Sequence, residues 1–175
     1  PILANRVRAL LSKMLNLAEE WGLRPEGSNL VKHVKQYKSQ VRERFLSNEE
    51  ISNLLRALND ALIERTETPH VVALFKLLML TGARLREIMH AKWEWVDFER
   101  GLLCLPDSKT GKKYIQLNGE ALAVLESLPR LENNPYIIVG KKEGEPLKEP
   151  KKAWKRICER AGLKNVRIHD LRHTY

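Results

Sequence analysis

Apolar residues recur at helical spacing through the first twenty positions. Leu3, Val7, Leu10, Leu11, Met14, Leu15, Ala18 and Trp21 fall on one helical face, which predicts a helix over residues 3–21. Gly22 stops it, and Pro25-Glu26-Gly27-Ser28-Asn29 is turn chemistry. One helix cannot bury its own stripe, so this segment reads as the last helix of a preceding domain. The next periodic run opens at Ser47, which forms a capping-box pattern with Glu50. Ile51, Leu54, Leu55, Leu58, Ala61 and Leu62 then carry a helix to about Arg65. Thr68-Pro69 starts another, proline suiting a first helical position. Apolar residues run nearly all round it through Leu80, which predicts burial at the centre of the fold. Gly82 interrupts, and Arg84 to Ala91 reads as a further short helix.

The pattern then changes period. Trp93 to Phe98 alternates weakly. Leu102-Leu103-Cys104-Leu105 and Tyr114-Ile115-Gln116-Leu117 read as short strands around the turn-rich residues 106–113, a hairpin with a lysine-bearing tip. Helices return at about 119–128 and 150–161, with Tyr136-Ile137-Ile138-Val139 as a short extended piece between them. A last helix starts near Ile168. The sum is a mainly α fold with a small antiparallel β-sheet on one edge, without internal repeats or low-complexity segments.

Composition narrows the class. Hydrophobic residues make up 43% of the 175 and charged residues 30%, the balance of a globular chain. No apolar run approaches the ~20 residues needed to cross a bilayer, which excludes a membrane-spanning helix. The N-terminus has no short apolar stretch with a small-residue cleavage site, which argues against a secretory signal. Cys104 and Cys158 stand alone and far apart, against both a zinc ribbon and a disulfide scaffold. They read as ordinary buried thiols in a reducing cytoplasm.

The net charge of +9 is unevenly spread: +5 over residues 1–45, −2 over 46–100 and +6 over 101–175. Two basic segments around a nearly neutral centre suggest a polyanion contacted from two sides. Lysine-rich surfaces also simply aid solubility, so charge alone favours nucleic acid only slightly. Within residues 31–45, Lys32, His33, Lys35, Lys38, Arg42 and Arg44 face only Glu43 in opposition. This reads as a basic interdomain linker able to lie along a phosphate backbone, or equally as a solvated helix extension.

The candidate chemistry lies in three places. Arg84 follows Thr81-Gly82-Ala83, and Glu87 comes three residues later on the same helical face, where it can brace the guanidinium. A braced guanidinium suits bidentate phosphate binding, although a structural ion pair explains the two residues in isolation. His169 and Arg172 have the same spacing and put a proton carrier beside a fixed positive charge. His169 and His173 are spaced for a metal, but no credible further ligands accompany them and the motif is not HExxH. No metal or other cofactor is expected. Lys109 sits in Ser108-Lys109-Thr110-Gly111-Lys112-Lys113, where a loop lysine could enter a DNA groove or protonate a departing oxygen. From composition alone a solvated turn lysine explains it better.

Taken in order, Thr81-Gly82-Ala83-Arg84-Leu85-Arg86-Glu87, the hairpin Ser108-Lys109-Thr110-Gly111-Lys112, and His169-Asp170-Leu171-Arg172-His173-Thr174 resemble the tyrosine recombinase (phage integrase) family. The resemblance covers roughly residues 46–175. It implies that family's catalytic-domain fold, here C-terminally incomplete. Residues 1–30 are then the C-terminal helix of a helical core-binding domain, and residues 31–45 the linker. It implies a C-shaped clamp on duplex DNA, and site-specific recombination or integration of a phage or mobile element without metal, through a 3′-phosphotyrosine. Arg84 and Arg172 would hold the scissile phosphate, Lys109 would protonate the leaving 5′ oxygen and His169 would assist at the nucleophile. Glu87 would orient Arg84, and Lys32, Lys35, Arg42, Arg44 and Lys112 would contact DNA. The implied partners are double-stranded attachment sites, a homo-tetramer on DNA and accessory DNA-bending proteins, in a bacterial or phage-infected cytoplasm.

Tyr175 invites assignment as the nucleophile. It comes only three residues after Arg172, where the family has a packing aromatic, and the family's nucleophile lies about two dozen residues or more further on. Tyr175 is therefore expected to pack in the core. The chain as it stands should bind DNA weakly and not cleave it. A non-catalytic DNA-binding relative and a type IB topoisomerase-like enzyme remain as alternatives, and a metal-dependent nuclease is disfavoured for want of clustered carboxylates.

Overall fold

The computed structural model describes residues 1–38, 44–106 and 111–175. The chain divides into two compact units, Pro1–Arg42 and Glu43–Tyr175. The first is built on helix α1 (Ile2–Glu20), none of whose residues is buried within the chain. The segment after Gly22 is held to α1 by polar side chains, among them Arg8, Glu19 and two asparagines. Asn29, fully buried, donates to the Ser12 carbonyl (3.0 Å) and to Asn16 Oδ1 (2.6 Å), and its own Oδ1 accepts from Val31 N. Asn5 exchanges two hydrogen bonds with the Tyr37 backbone, at 2.8 and 2.9 Å.

The second unit contains the core. Helix α2 (Asn48–Ile63) starts at Ser47, whose hydroxyl accepts from Glu50 N while the Glu50 carboxylate accepts from Ser47 N. This is the reciprocal cap expected from the sequence. It ends just before Arg65, which takes a left-handed φ of 56°. Helix α3 (Pro69–Thr81) is capped by Thr68 and buries nine of its thirteen residues. Leu74, Phe75, Leu77 and Leu78 are sealed from solvent on different sides of it. A fully buried side chain of this size contributes roughly 1.5–3 kcal/mol, so α3 is the axis of the fold. It packs against α2, α4 (Leu85–Met89), α5 (Gly119–Glu126) and α7 (Asp170–Thr174).

The sheet is three-stranded and antiparallel, β1 (Val96–Asp97), β2 (Leu102–Leu105) and β3 (Lys113–Gln116) in that order. Cys104 pairs with Tyr114, and Leu105 with Lys113. In β3 Ile115 is buried and its neighbours Tyr114 and Gln116 are exposed, so the odd-numbered residues face the core. Helix α6 (Lys151–Arg160) places Trp154 against Phe75, ring centroids 4.9 Å apart, and the indole NH donates to the Val166 carbonyl. The architecture is thus mainly α with a small antiparallel sheet. One thiol departs from expectation. Cys158 is buried, and burial pushes its pKa up to about 11, but Cys104 is only half-buried because it lies on the outer-facing parity of β2. No helix of the chain's described residues is long and apolar enough to cross a membrane.

His70 is buried on α3, with Nε2 3.1 Å from the Pro129 carbonyl. Burial disfavours the imidazolium and lowers the pKa below its ordinary 6.5, against an opposing pull from that carbonyl. The unfolded chain therefore takes up this proton before the folded chain does. Stability from this group is intact above about pH 6.5 and is lost as pH falls through the lower folded-state pKa. Urea unfolding from about pH 8 to about pH 5 should show the wild type losing stability faster than His70→Gln as pH falls. Parallel curves would refute the assignment.

Candidate active site

The run Thr81-Gly82-Ala83-Arg84 is first a way of ending a buried helix. The Thr81 hydroxyl donates to the Leu77 carbonyl (2.6 Å) and accepts from Ala83 N (3.3 Å), closing the last turn of α3. Gly82 then takes a left-handed φ of 57°, where a side chain would be strained. Ala83 is buried, and Arg84 becomes the extended residue that caps α4. The side chain of Arg84 emerges 45% exposed.

Glu87 sits one turn into α4 with its side chain only 10% exposed. Its Oε2 accepts from Arg84 N (2.8 Å) and its Oε1 from Arg84 Nη1 (2.9 Å). Oε2 also meets Lys113 Nζ at 2.7 Å. Burial by itself raises the pKa of this carboxyl, but the Lys113 ammonium and the two Arg84 donors outweigh it and hold the group below the usual carboxylate range. Glu87 is thus a fixed anion that grips both the backbone and the guanidinium of Arg84.

Arg172 comes from α7, a helix anchored at both ends. The buried Asp170 accepts from Arg167 N (2.8 Å), which fixes the turn leading into it. Thr174 Oγ1 donates to the Asp170 carbonyl (2.9 Å) and accepts from Leu46 N (3.0 Å). Phe45 meets the His173 ring edge-on at 6.4 Å. Residues 45–46 are in this way stitched to α7. Between these anchors Arg172 Nη1 is buried and has no hydrogen-bond partner among the described residues. His169, exposed, stands just before α7, its ring 4.9 Å from that of His173. No group of three or more His, Cys, Asp or Glu among the described residues could hold a metal ion.

The two arginine segments meet through Gly82 and Tyr175. A Cβ at position 82 would lie 2.5 Å from Tyr175 Cδ1, so the ring rests directly on the glycine. Gly82 is two residues before Arg84, and Tyr175 three after Arg172. Tyr175 also borders an apolar groove of about 400 Å³ lined by Leu46, Ile51, Met79 and Leu80. It nevertheless stays 71% exposed, so the expectation of a core tyrosine is corrected. The ring covers a backbone turn at the surface, because only the hydrogen of glycine lets it come so close.

The other sequence candidates separate. Lys109 and Arg42 lie outside the described residues. Lys32 and Lys35 are exposed in the first unit, and Lys112 is exposed just before β3. Arg44 is engaged twice over by the Glu50 carboxylate, one contact at 2.9 Å. That hydrogen bond, and after it the charges of Glu50 and Asp170, raise its pKa. Lys113 was not singled out by its sequence. The available signal was strand parity, since Lys113 shares the inward face with Ile115 and Lys112 does not.

A mainly helical unit in which the turn before a carboxylate-braced arginine packs against the residue that ends α7, the helix of Arg172, has the architecture of the DNA breaking-rejoining enzymes. Residues 44–175 match the model of the phage integrase family, and the chain belongs to that family. It is 31% identical over 182 residues to the shufflon-specific DNA recombinase of Escherichia coli, covering 99% of this chain and 43% of that protein. Among solved structures it is similar to a lambda integrase fragment, a dimer bound to a COC′ core site, with a TM-score of 0.71 and 24% identity. The match covers 95% of this chain and 60% of that one. A lambda integrase tetramer bound to a Holliday junction matches with a TM-score of 0.70 and 24% identity over 95% of this chain and 48% of that one. These likenesses establish the fold, and the chain spans less than half the length of the recombinase it matches.

Gly82→Ala combines a left-handed backbone with a clash against Tyr175 and should lower unfolding stability by at least the ~1–2 kcal/mol cost of that conformation. Gly82→Ala with Tyr175→Ala should recover the clash but not the backbone cost, so the double variant should be more stable than additivity predicts. Additive losses in chemical denaturation would show that the ring does not rest on the glycine.

Proposed function

We propose that this chain forms the greater part of the catalytic domain of a tyrosine-type site-specific DNA recombinase, preceded by the end of a core-binding domain (residues 1–30) and a basic linker (31–45). The observation that carries the reading is Arg172 Nη1, buried and without a hydrogen-bond partner among the described residues, on the helix whose following residue Tyr175 rests on the turn that leads to Arg84. A buried guanidinium nitrogen without a partner is costly unless an anion completes it. A phosphodiester has the charge and the oxygens for two arginines.

In the reaction, a tyrosine hydroxyl loses its proton and its oxygen attacks phosphorus. The bond from phosphorus to the 5′ oxygen breaks, leaving a 3′-phosphotyrosine, and the departing oxygen takes a proton. Arg84 and Arg172 neutralise charge on the non-bridging oxygens as it develops. His169 receives the nucleophile's proton, and Lys109 donates to the leaving oxygen. Glu87 orients Arg84. No step requires a metal. The Tyr175 ring is committed to Gly82, so the attacking tyrosine is a different one. The substrate is duplex DNA at an attachment site, and the assembly is a homo-tetramer on DNA in the cytoplasm of a bacterial or phage-infected cell, with accessory DNA-bending proteins. The DNA-bound dimer and tetramer of lambda integrase support the DNA and assembly parts of this reading.

Two measurements test it. Arg84→Ala with Arg172→Ala should weaken binding to a short duplex and flatten its salt dependence, by about one unit of slope for each lost phosphate contact. An unchanged slope would remove the phosphate clamp. In a longer protein carrying this chain, a nicked attachment-site duplex should trap a covalent adduct that survives Tyr175→Phe. Loss of the adduct in that variant would make Tyr175 the nucleophile, and failure of any adduct to form would favour a binding protein without chemistry.

A further inference from the structure

The Glu87 carboxylate serves three donors, and the third comes from another element. Arg84 supplies two of them from the end of its own helix. Lys113, the first residue of β3, supplies the last at 2.7 Å, with its side chain 27% exposed. An anion held only by residues three positions away on the same turn can rotate with that turn. An anion held also from the sheet cannot. Oε2 is shared between Arg84 N and Lys113 Nζ, so the lysine fixes the plane of the carboxylate. That plane aims Oε1, and Oε1 aims the guanidinium of Arg84. Strand parity keeps Lys113 on the inner face, and its pairing with Leu105 sets how far along the sheet it sits.

We infer that Lys113 is a positioning residue for Arg84, acting through Glu87 and tying the β2–β3 hairpin to the arginine that grips phosphate. The inference rests on the reading of Arg84 as a phosphate ligand. Its physical content is a chain of three charged groups in which the outer two never need to meet. Lys113 does not donate to DNA; it orients the residue that does. Strand β3 and the turn that carries Arg84 then hold one relative register. A recombinase needs that register if a proton donor and a phosphate ligand are to act on the same phosphodiester.

The test is a double-mutant cycle on the chain itself, with a short nonspecific duplex as the probe. Lys113→Met should weaken duplex binding about three- to tenfold, within the range of couplings inside one ion-pair network. Lys113→Arg, which keeps the charge and reach, should restore most of it. Neither effect should appear when Arg84→Ala is already present. The Nε–Hε resonance of Arg84 in a nitrogen-15 spectrum should move in Lys113→Met and return in Lys113→Arg, which general loosening of the fold would not reproduce. Should Lys113→Met fail to fold by circular dichroism, Lys113→Gln carries the same cycle. A loss that persists undiminished on top of Arg84→Ala would make Lys113 a direct DNA contact and overturn the inference. So would wild-type binding by Lys113→Met where Arg84→Ala binds weakly. If Arg84→Ala alone leaves binding unchanged, the phosphate-clamp reading itself fails, and that result is distinct from the other two.

Discussion

The unit from Glu43 onward depends on α3, nine of whose thirteen residues are buried. Helices α2, α4, α5 and α7 all pack on it, and its exposure is confined to Pro69 and a stripe at Lys76, Met79 and Leu80. A helix enclosed in this way must still satisfy its last carbonyls and turn the chain aside within a few residues. Thr81 and Gly82 do both, the hydroxyl by bonding within the turn and the glycine by a conformation that other residues enter only at a cost. Arg84 takes its place at the protein surface as a consequence of that exit. Arg84 and Glu87 lie where the most deeply buried helix of the fold ends.

Two of the arginines are governed by the same local device. Glu50 and Glu87 each stand at the third position of a helix and accept from the backbone of the capping residue. Each also binds a nearby arginine. Arg44 is gripped through both terminal nitrogens and so serves the structure, helping to hold the start of α2 close to α7. Arg84 gives Glu87 Nη1 of its side chain, the one side-chain hydrogen bond it makes among the described residues. Arg172 Nη1 has no partner among the described residues. Among the described residues the three guanidinium groups thus differ in how far carboxylates satisfy them.

Much of this was legible beforehand because it is local. The capping box at Ser47, the proline start at Pro69, the glycine stop at Gly82 and the Arg84–Glu87 brace all involve residues within four positions of each other, where backbone geometry leaves little choice. The helix limits moved by a few residues at most, as with the short α4, which stops at Met89 rather than Ala91. The surroundings that were not legible are those set by partners beyond the next turn. Arg44 reads as a linker cation, and its pairing with Glu50 is seen only once α2 folds beside it. Tyr175 reads as a core residue until the left-handed glycine beneath it is seen to hold it at the surface. Lys112 and Lys113 are adjacent and identical in chemistry, and only the pairing of β3 with β2 turns one outward and the other toward Glu87.

The sequence by itself determined the element order, the enclosed central helix, and the set of charged side chains capable of handling a phosphate, because periodicity, caps and short-range pairs are properties of neighbouring residues. Only the tertiary structure decided which of those charges are already neutralised. That depends on helix α7 and strand β3 arriving beside a turn nearly thirty to ninety residues away in sequence. Distance along the chain carries no information about that meeting; packing does. The same meeting pairs Lys113 with Glu87, sets Tyr175 on Gly82 and leaves one nitrogen of Arg172 buried without a partner among the described residues.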